Sequence, residues 1–367
     1  MGLTAGIVGL PNVGKSTLFN AITKSEVLSA NYPFATIDPN VGVVEVPDKR
    51  LQILSDMVQP KKTIPTIFEF TDIAGIVKGA SKGEGLGNQF LSHIREVDAI
   101  VQVVRAFDDP NITHVDGSIN PIRDIETINL ELIFADLEVV EKRIPKVEKK
   151  AQLKVDDESV LEYNILKEIQ TVLLEDRPIR SMSFTKEQQK MIKHFNFLTA
   201  KPIVYVANIH EDDVLDYEDN DYVKQIETFA KNEKSDVVVI SAKIEAELSE
   251  LDEEEKAMFL EDLGLEESGL DKLIRHSYDL LGLATFFTAG PKEVRAWTFK
   301  KGMKAPECAG VIHTDFAKGF IRAETIPFDA YVKYNGEQGA KEAGAFRLEG
   351  KEYIVKDGDI MHYRFNL

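Results

Sequence analysis

Residues 9–16 read G-L-P-N-V-G-K-S. The string fits the pattern G-x-x-x-x-G-K-[ST], in which glycines let backbone N–H groups close around phosphate oxygens. The lysine, here Lys15, adds fixed positive charge, and the hydroxyl of Ser16 is placed to hold Mg²⁺. Leu3, Ala5, Ile7 and Val8 just before it are spaced as a buried strand, and S-T-L-F-N-A-I at 16–22 has helical spacing. A loop set between strand and helix aims first-turn N–H groups and the positive end of the helix dipole at an anion, which is what a triphosphate needs.

Around this loop the chain has 367 residues, 43% of them hydrophobic and 29% charged, enough for more than one core in a soluble protein. Cys308 is the single cysteine, so neither an intramolecular disulfide nor a cysteine metal cluster is available, as expected of a reducing cytosol. The opening M-G-L-T-A-G-I-V-G-L lacks a basic flank and runs straight into the phosphate loop, so it reads as structure and not as a signal. No stretch approaches the roughly 18–20 apolar residues that span a bilayer, and no membrane partner is expected. The net charge of −18 opposes indiscriminate binding to nucleic-acid backbones. It is unevenly placed: residues 201–283 hold 8 basic and 23 acidic side chains, while residues 284–367 hold 13 and 11.

Four more apolar runs resemble buried parallel strands: I-F-E-F at 67–70, A-I-V-Q-V-V at 99–104, P-I-V-Y-V-A at 202–207 and V-V-V-I at 237–240. Helical patterns between them indicate an α/β, doubly wound sheet with ligand loops at the carboxyl ends of its strands. The expected nucleotide-binding segments are 1–127 and 200–283, interrupted by a helical insertion at 128–199. There Leu130, Ile133, Leu137, Val140, Ile144 and Val147 form a heptad seam, and Leu161, Ile165, Ile169 and Val172 offer a facing helix. Pro145 predicts a kink or break in the first helix. Lys142, Arg143, Lys146, Lys149, Lys150 and Lys154 suit either a solvated face or a contact for RNA. From 284 to 367 short alternating segments, V-R-A-W-T-F, G-F-I-R-A-E, A-Y-V-K-Y and G-D-I-M-H-Y-R-F, predict strands of a small separate α+β domain.

The chemistry clusters at the predicted strand ends. T-D-I-A-G at 71–75 carries the D-x-x-G element that senses a γ-phosphate, with Asp72 acting through Mg²⁺-bound water and the Gly75 N–H facing the terminal phosphate. Thr36, in N-Y-P-F-A-T-I, suits a switch loop whose hydroxyl reaches Mg²⁺ while γ-phosphate holds it closed. At 208, where guanine-specific relatives of this architecture carry N-K-x-D, the chain has N-I-H-E. Glu211 is one methylene too long for the bidentate grip on guanine, and Ile209 replaces the lysine that lies along the base, so ATP is favoured over GTP. S-A-K at 241–243 fits the remaining base-edge loop. Ile76 stands where a water-orienting glutamine is common, so hydrolysis is expected to be slow or to be completed by another group, such as a residue from a flexible loop, a cation or a partner protein. His114, in a turn-rich loop after a central strand, is the candidate, and Asn12 is a candidate ligand for a monovalent cation replacing an arginine finger.

Together, G-L-P-N-V-G-K-S, N-Y-P-F-A-T-I, D-I-A-G-I-V-K-G-A, N-I-H-E and S-A-K resemble the Obg-like ATPase family, the YchF group, over essentially the whole chain. The resemblance implies a P-loop domain interrupted by a coiled-coil hairpin and followed by a C-terminal TGS domain of β-grasp type. It implies an ATPase acting in the cytoplasm, with Mg²⁺, potassium stimulation and the ribosome as partner; a monomer is expected. Carried over, Asn12, Val13, Gly14, Lys15, Ser16 and Thr17 bind phosphates, Ser16 and Thr36 coordinate Mg²⁺, and Asn208, Ile209 and Glu211 surround adenine. His114 matches the histidine that assists hydrolysis. Two alternatives stay open: a nucleotide-gated ribosome- or RNA-binding regulator with incidental hydrolysis, which Ile76 favours, and an Obg-type GTPase.

Overall fold

The apolar runs all become strands. The structure is a computed structural model that describes residues 3–24, 40–74, 86–113 and 117–366. In chain order its strands are β1 (Thr4–Gly9), β2 (Val41–Glu45), β3 (Thr63–Ile64), β4 (Ile67–Asp72), β5 (Ala99–Arg105), β6 (Ile203–Asn208), β7 (Asp236–Ile240), β8 (Leu283–Ala289), β9 (Val294–Lys300), β10 (Phe320–Pro327), β11 (Arg347–Glu349) and β12 (Asp359–Phe365). The helices of the first part are α1 (Lys15–Lys24), α2 (Lys49–Val58), α3 (Leu86–Glu96), α4 (Pro121–Gln152), α5 (Asp157–Leu174), α6 (Lys186–Lys193), α7 (Asp221–Glu233), α8 (Ala242–Leu248), α9 (Glu253–Asp262) and α10 (Gly269–Leu280). Then come α11 (Ala305–Ile312), α12 (Thr314–Lys318), α13 (Phe328–Lys333) and α14 (Glu337–Glu342). No helix among the described residues is long and apolar enough to cross a membrane.

The chain divides into two compact units, one of residues 1–44 and 69–277, the other of 45–68 and 278–367. In the first, a six-stranded sheet runs in the order β2-β4-β1-β5-β6-β7, and the β4/β1, β1/β5, β5/β6 and β6/β7 pairs are parallel. β5 and β6 are buried along their whole length, as strands between two helical layers must be. The order reverses at β1, and ligands of doubly wound sheets sit outside the carboxyl ends at such a point. Gly9, Asp72, Arg105 and Asn208 end their strands there; Gly9 is in register with Val103 and Arg105 with Asn208.

The expected insertion is a pair of packed helices. α4 starts with Asn120 capping Arg123 and Pro121 in its first turn, α5 with Asp156 capping Ser159, and the four-residue connection makes the pair antiparallel. Ile133, Val140, Ile144 and Val147 pack with Ile165, Leu166, Ile169 and Leu173 in one core, so Leu166 and Leu173 take the facing role expected of Val172. Pro145 does not break the helix: α4 continues to Gln152. The proline is on the exposed face, as is Glu141, whose carbonyl lacks the donor that proline removes, so the one lost bond falls on the solvent side while Ile144 and Val147 stay packed. Asp136 ties the start of the hairpin to the returning chain, accepting from the Leu198 N–H (2.9 Å), the Thr199 N–H (2.8 Å) and the Thr199 hydroxyl (2.7 Å).

In the second unit the sheet order is β11-β10-β12-β8-β9-β3. One face packs Phe286, Phe299, Phe320, Met361 and Tyr363 against Cys308 and Ala309 of α11. The other packs Phe287, Val294, Ala296 and Ile360 against Leu51 and Leu54 of α2. From sequence, residues 45–68 are expected with the nucleotide-binding segment; they supply this unit with an edge strand, β3, parallel to β9, and with the helix that covers one sheet face. Arg50 donates to Asp48 and Asp357, and its guanidinium lies 5.3 Å from the Phe287 ring centre. A-Y-V-K-Y, expected as a strand, lies in and just beyond α13: Pro327 precedes the helix, Asp329 sits in its first turn, and Tyr331 is the residue it buries.

Candidate nucleotide site

The phosphate loop is built by two residues with positive φ, Asn12 at 63° and Gly14 at 94°, which turn successive amides inward before α1 begins at Lys15. Asn tolerates that conformation, and Gly14 needs it twice over: a Cβ there would lie 2.2 Å from the Asn208 side-chain nitrogen. The Lys15 ammonium contacts the Asp72 carboxylate, so the loop lysine and the acid at the end of β4 face one point. Ser16 and Thr17 are exposed on the first turn of α1. Ser16 and Asp72 together offer hydroxyl and carboxylate oxygens, the hard donors Mg²⁺ takes. Thr36, Gly75, Ile76 and His114 lie outside the described residues.

Asn208, 4% exposed, bridges two loops. Its amide donates to the Val13 carbonyl (2.9 Å), and its Oδ1 accepts from the Ala242 N–H (2.9 Å), so one side chain joins the phosphate loop to S-A-K. Both bonds are buried, where an unpaired partner costs most. Ile209 is buried beneath the loop, its N–H bonded to the Ile240 carbonyl (2.9 Å), and it lines a cavity of about 40 Å³ with Val214, Ile244 and Leu265. Glu211 contacts Lys243, and the hydrogen bond from that ammonium holds its carboxyl below the usual range. The N-I-H-E and S-A-K loops are thus joined a second time, by an ion pair. A larger open cavity, about 650 Å³, lies beside them, walled by Phe107, Asp108, His210, Asn220 and Tyr222.

Arg105, which closes β5, was visible in the sequence as a charge at the end of an apolar run but has no motif to mark it. It is 1% exposed. Its guanidinium donates to the carbonyls of Phe107 (3.1 Å), Asp109 (3.2 Å) and Ile112 (3.0 Å), and stacks 4.7 Å from the Phe107 ring centre. The Asn12 amide donates to the carbonyl of Thr113 (3.1 Å), bringing the far end of the same loop to the phosphate loop.

Residues 4–136 match the model of the 50S ribosome-binding GTPases, and residues 283–366 match YchF-GTPase_C, described as a protein of unknown function. Over all 367 residues, with each chain covered in full, the sequence is 65% identical to the ribosome-binding ATPase YchF of Bacillus subtilis and 54% identical to that of Escherichia coli O157:H7. The chain belongs to the YchF family. The fold agrees: the YchF GTPase of Schizosaccharomyces pombe superposes with a TM-score of 0.89 at 42% identity, over 99% of this chain and 98% of that one. YchF proteins thus share the α/β P-loop architecture and the carboxyl-terminal unit seen here, the bacterial relatives are named as ATPases, and the P-loop domain suits a hydrolase.

Proposed function

We propose that this chain hydrolyses ATP to ADP and phosphate in preference to GTP, with Mg²⁺, and acts as a nucleotide-dependent switch on the cytoplasmic ribosome. The observation that carries the adenine preference is the Glu211–Lys243 pair beside a buried Ile209. A carboxylate already engaged by a cation does not offer guanine's N1–H and N2–H₂ two matched acceptors, whereas one acceptor and an apolar surface serve adenine. Lys15 and the loop amides would hold the phosphates. Ser16, Asp72 and Thr36 would hold Mg²⁺, which supplies charge neutralisation at the β- and γ-oxygens.

His114 is assigned to hydrolysis because its neighbour Thr113 is bonded to the phosphate loop through Asn12. That bond uses the Asn12 amide nitrogen and leaves Oδ1 to face a monovalent cation, which supports potassium stimulation. On the hairpin, Lys142 and Arg143 are paired with Glu138 and Glu162, but exposed Lys146, Lys149, Lys150 and Lys154 surround the exposed Leu153 and Val155. This mixed basic and apolar tip supports contact with RNA on the ribosome. The carboxyl-terminal unit is assigned as the TGS domain. Phosphate release from ATP and GTP, measured with and without ribosomes in potassium and in sodium buffers, tests the proposal. Faster turnover of ATP, raised by potassium and changed by ribosomes, is expected; faster turnover of GTP contradicts it.

A further inference from the structure

We propose that Arg105 is a positioning residue for hydrolysis: it holds the 107–113 loop so that the Thr113 carbonyl fixes the side chain of Asn12 in the phosphate loop. This rests on the reading of Asn12 as a group that faces the reacting phosphates. A guanidinium buried to 1% exposure with three carbonyls as its partners is costly to maintain and cannot shed its charge, so its fixed fork geometry must serve the groups it holds.

The loop is tied unequally at its two ends. At the base side the Ala106 N–H donates to the Asn208 carbonyl (2.8 Å), Asn220 donates to the Ala106 carbonyl (3.0 Å), and the Tyr222 hydroxyl donates to Asp108 (3.1 Å). Those bonds hold Phe107 and its cavity without Arg105. Among the described residues the far end has the local bonds from the Ile112 N–H to the Asp109 carbonyl (3.2 Å) and from the Asn111 N–H to the Asp109 carboxylate (2.8 Å), besides Arg105 and the Asn12 bond. Removing the guanidinium therefore releases Asp109 through Thr113 and, with them, the acceptor that orients Asn12. A misplacement of this kind costs turnover more than binding.

The experiment is a double-mutant cycle in the full chain, reading ATP turnover in potassium buffer. Arg105→Gln is expected to lower kcat about ten-fold or more while the KM for ATP changes less than about three-fold. Asn12→Ala is expected to lower kcat as well, and adding Arg105→Gln to it to cost less than about two-fold further, because both act through one contact. Arg105→Lys keeps the charge but cannot span three carbonyls; it should behave as Arg105→Gln does, and it carries the measurement if the glutamine variant fails to fold. If Asn12→Ala is slow while the Arg105 effect is absent, equal in both backgrounds, or confined to KM, the Arg105 proposal is overturned and the reading of Asn12 stands. Normal turnover of Asn12→Ala overturns both.

Discussion

Asn208 shows how a single side chain can set a binding site's geometry. With its nitrogen on Val13 and its oxygen receiving Ala242, it holds phosphate loop and base-edge loop at one separation. Asn208→Ala leaves two buried backbone groups unpaired, and about 1–3 kcal/mol of stability is expected to be lost together with at least about ten-fold in ATP affinity. Chemical denaturation and calorimetry check this; an unchanged ATP affinity contradicts the bridging role. Lys15→Ala should remove tight ATP binding altogether, since the standing charge at the phosphates goes with it. Such residues were partly legible. Lys15, Ser16, Asp72 and Asn208 stand out in the sequence because the phosphate-loop pattern and its companion motifs have fixed spacings next to strand ends, and the structure brings Lys15 to Asp72 and Asn208 to the phosphate loop. Arg105 does not stand out, because its partners are carbonyls brought close only by the fold, and Lys243 lies within the legible S-A-K but its pairing with Glu211 depends on the fold.

At the level of elements, the junction between α8 and α10 carries a pH response. Glu245 on α8 is 4% exposed and accepts from the Gly269 N–H (2.7 Å), the first residue of α10. Burial pushes its carboxyl up to about 7, with Asp271 adding to the rise and the Gly269 and Leu270 amides and Lys256 opposing it. The folded state therefore holds a proton that the unfolded chain releases near 4.5. The contribution of this group is greatest below that value and falls as pH rises towards 7, by up to about 1.4 kcal/mol per unit. Glu245→Gln keeps an acceptor for Gly269 but has no proton to lose. Its Tm should vary less between pH 5 and 7 than the parent's, and its stability should match or exceed the parent's above pH 7. Parallel profiles for the two proteins contradict this. Periodicity made most elements readable, including five strands of the parallel sheet and both hairpin helices. It overstated Pro145, where the expected break does not occur because packing of Ile144 and Val147 outweighs one lost backbone bond, and it misread α13, where six residues are too few to display a period.

Across the whole molecule, the chain leaves one compact unit after residue 44, contributes α2 and β3 to the other, and returns at residue 69. No sequence pattern marks that excursion, because an amphipathic helix such as α2 carries no record of which sheet it covers. Leu54 is fully buried on the β8–β9 face, and Leu54→Ala should cost the carboxyl-terminal unit about 2–5 kcal/mol. A fragment of residues 278–367 lacks that cover; it should unfold without cooperativity alone and regain a cooperative melt when residues 45–68 are added as a peptide. A cooperative melt of the fragment by itself, unchanged by the peptide, contradicts the assignment. A separate carboxyl-terminal unit was legible in outline from the change of pattern near residue 284, while the segment exchanged between the units depended on tertiary contacts.

On the proposed function, the phosphate loop, joined by Asn208 to the loops that Glu211 and Lys243 close, selects adenosine triphosphate. Competitive calorimetric titration of ATP against GTP with Mg²⁺ measures this selection directly. Tighter binding of ATP, lost for both nucleotides in Lys15→Ala, is the predicted result; tighter binding of GTP would contradict it.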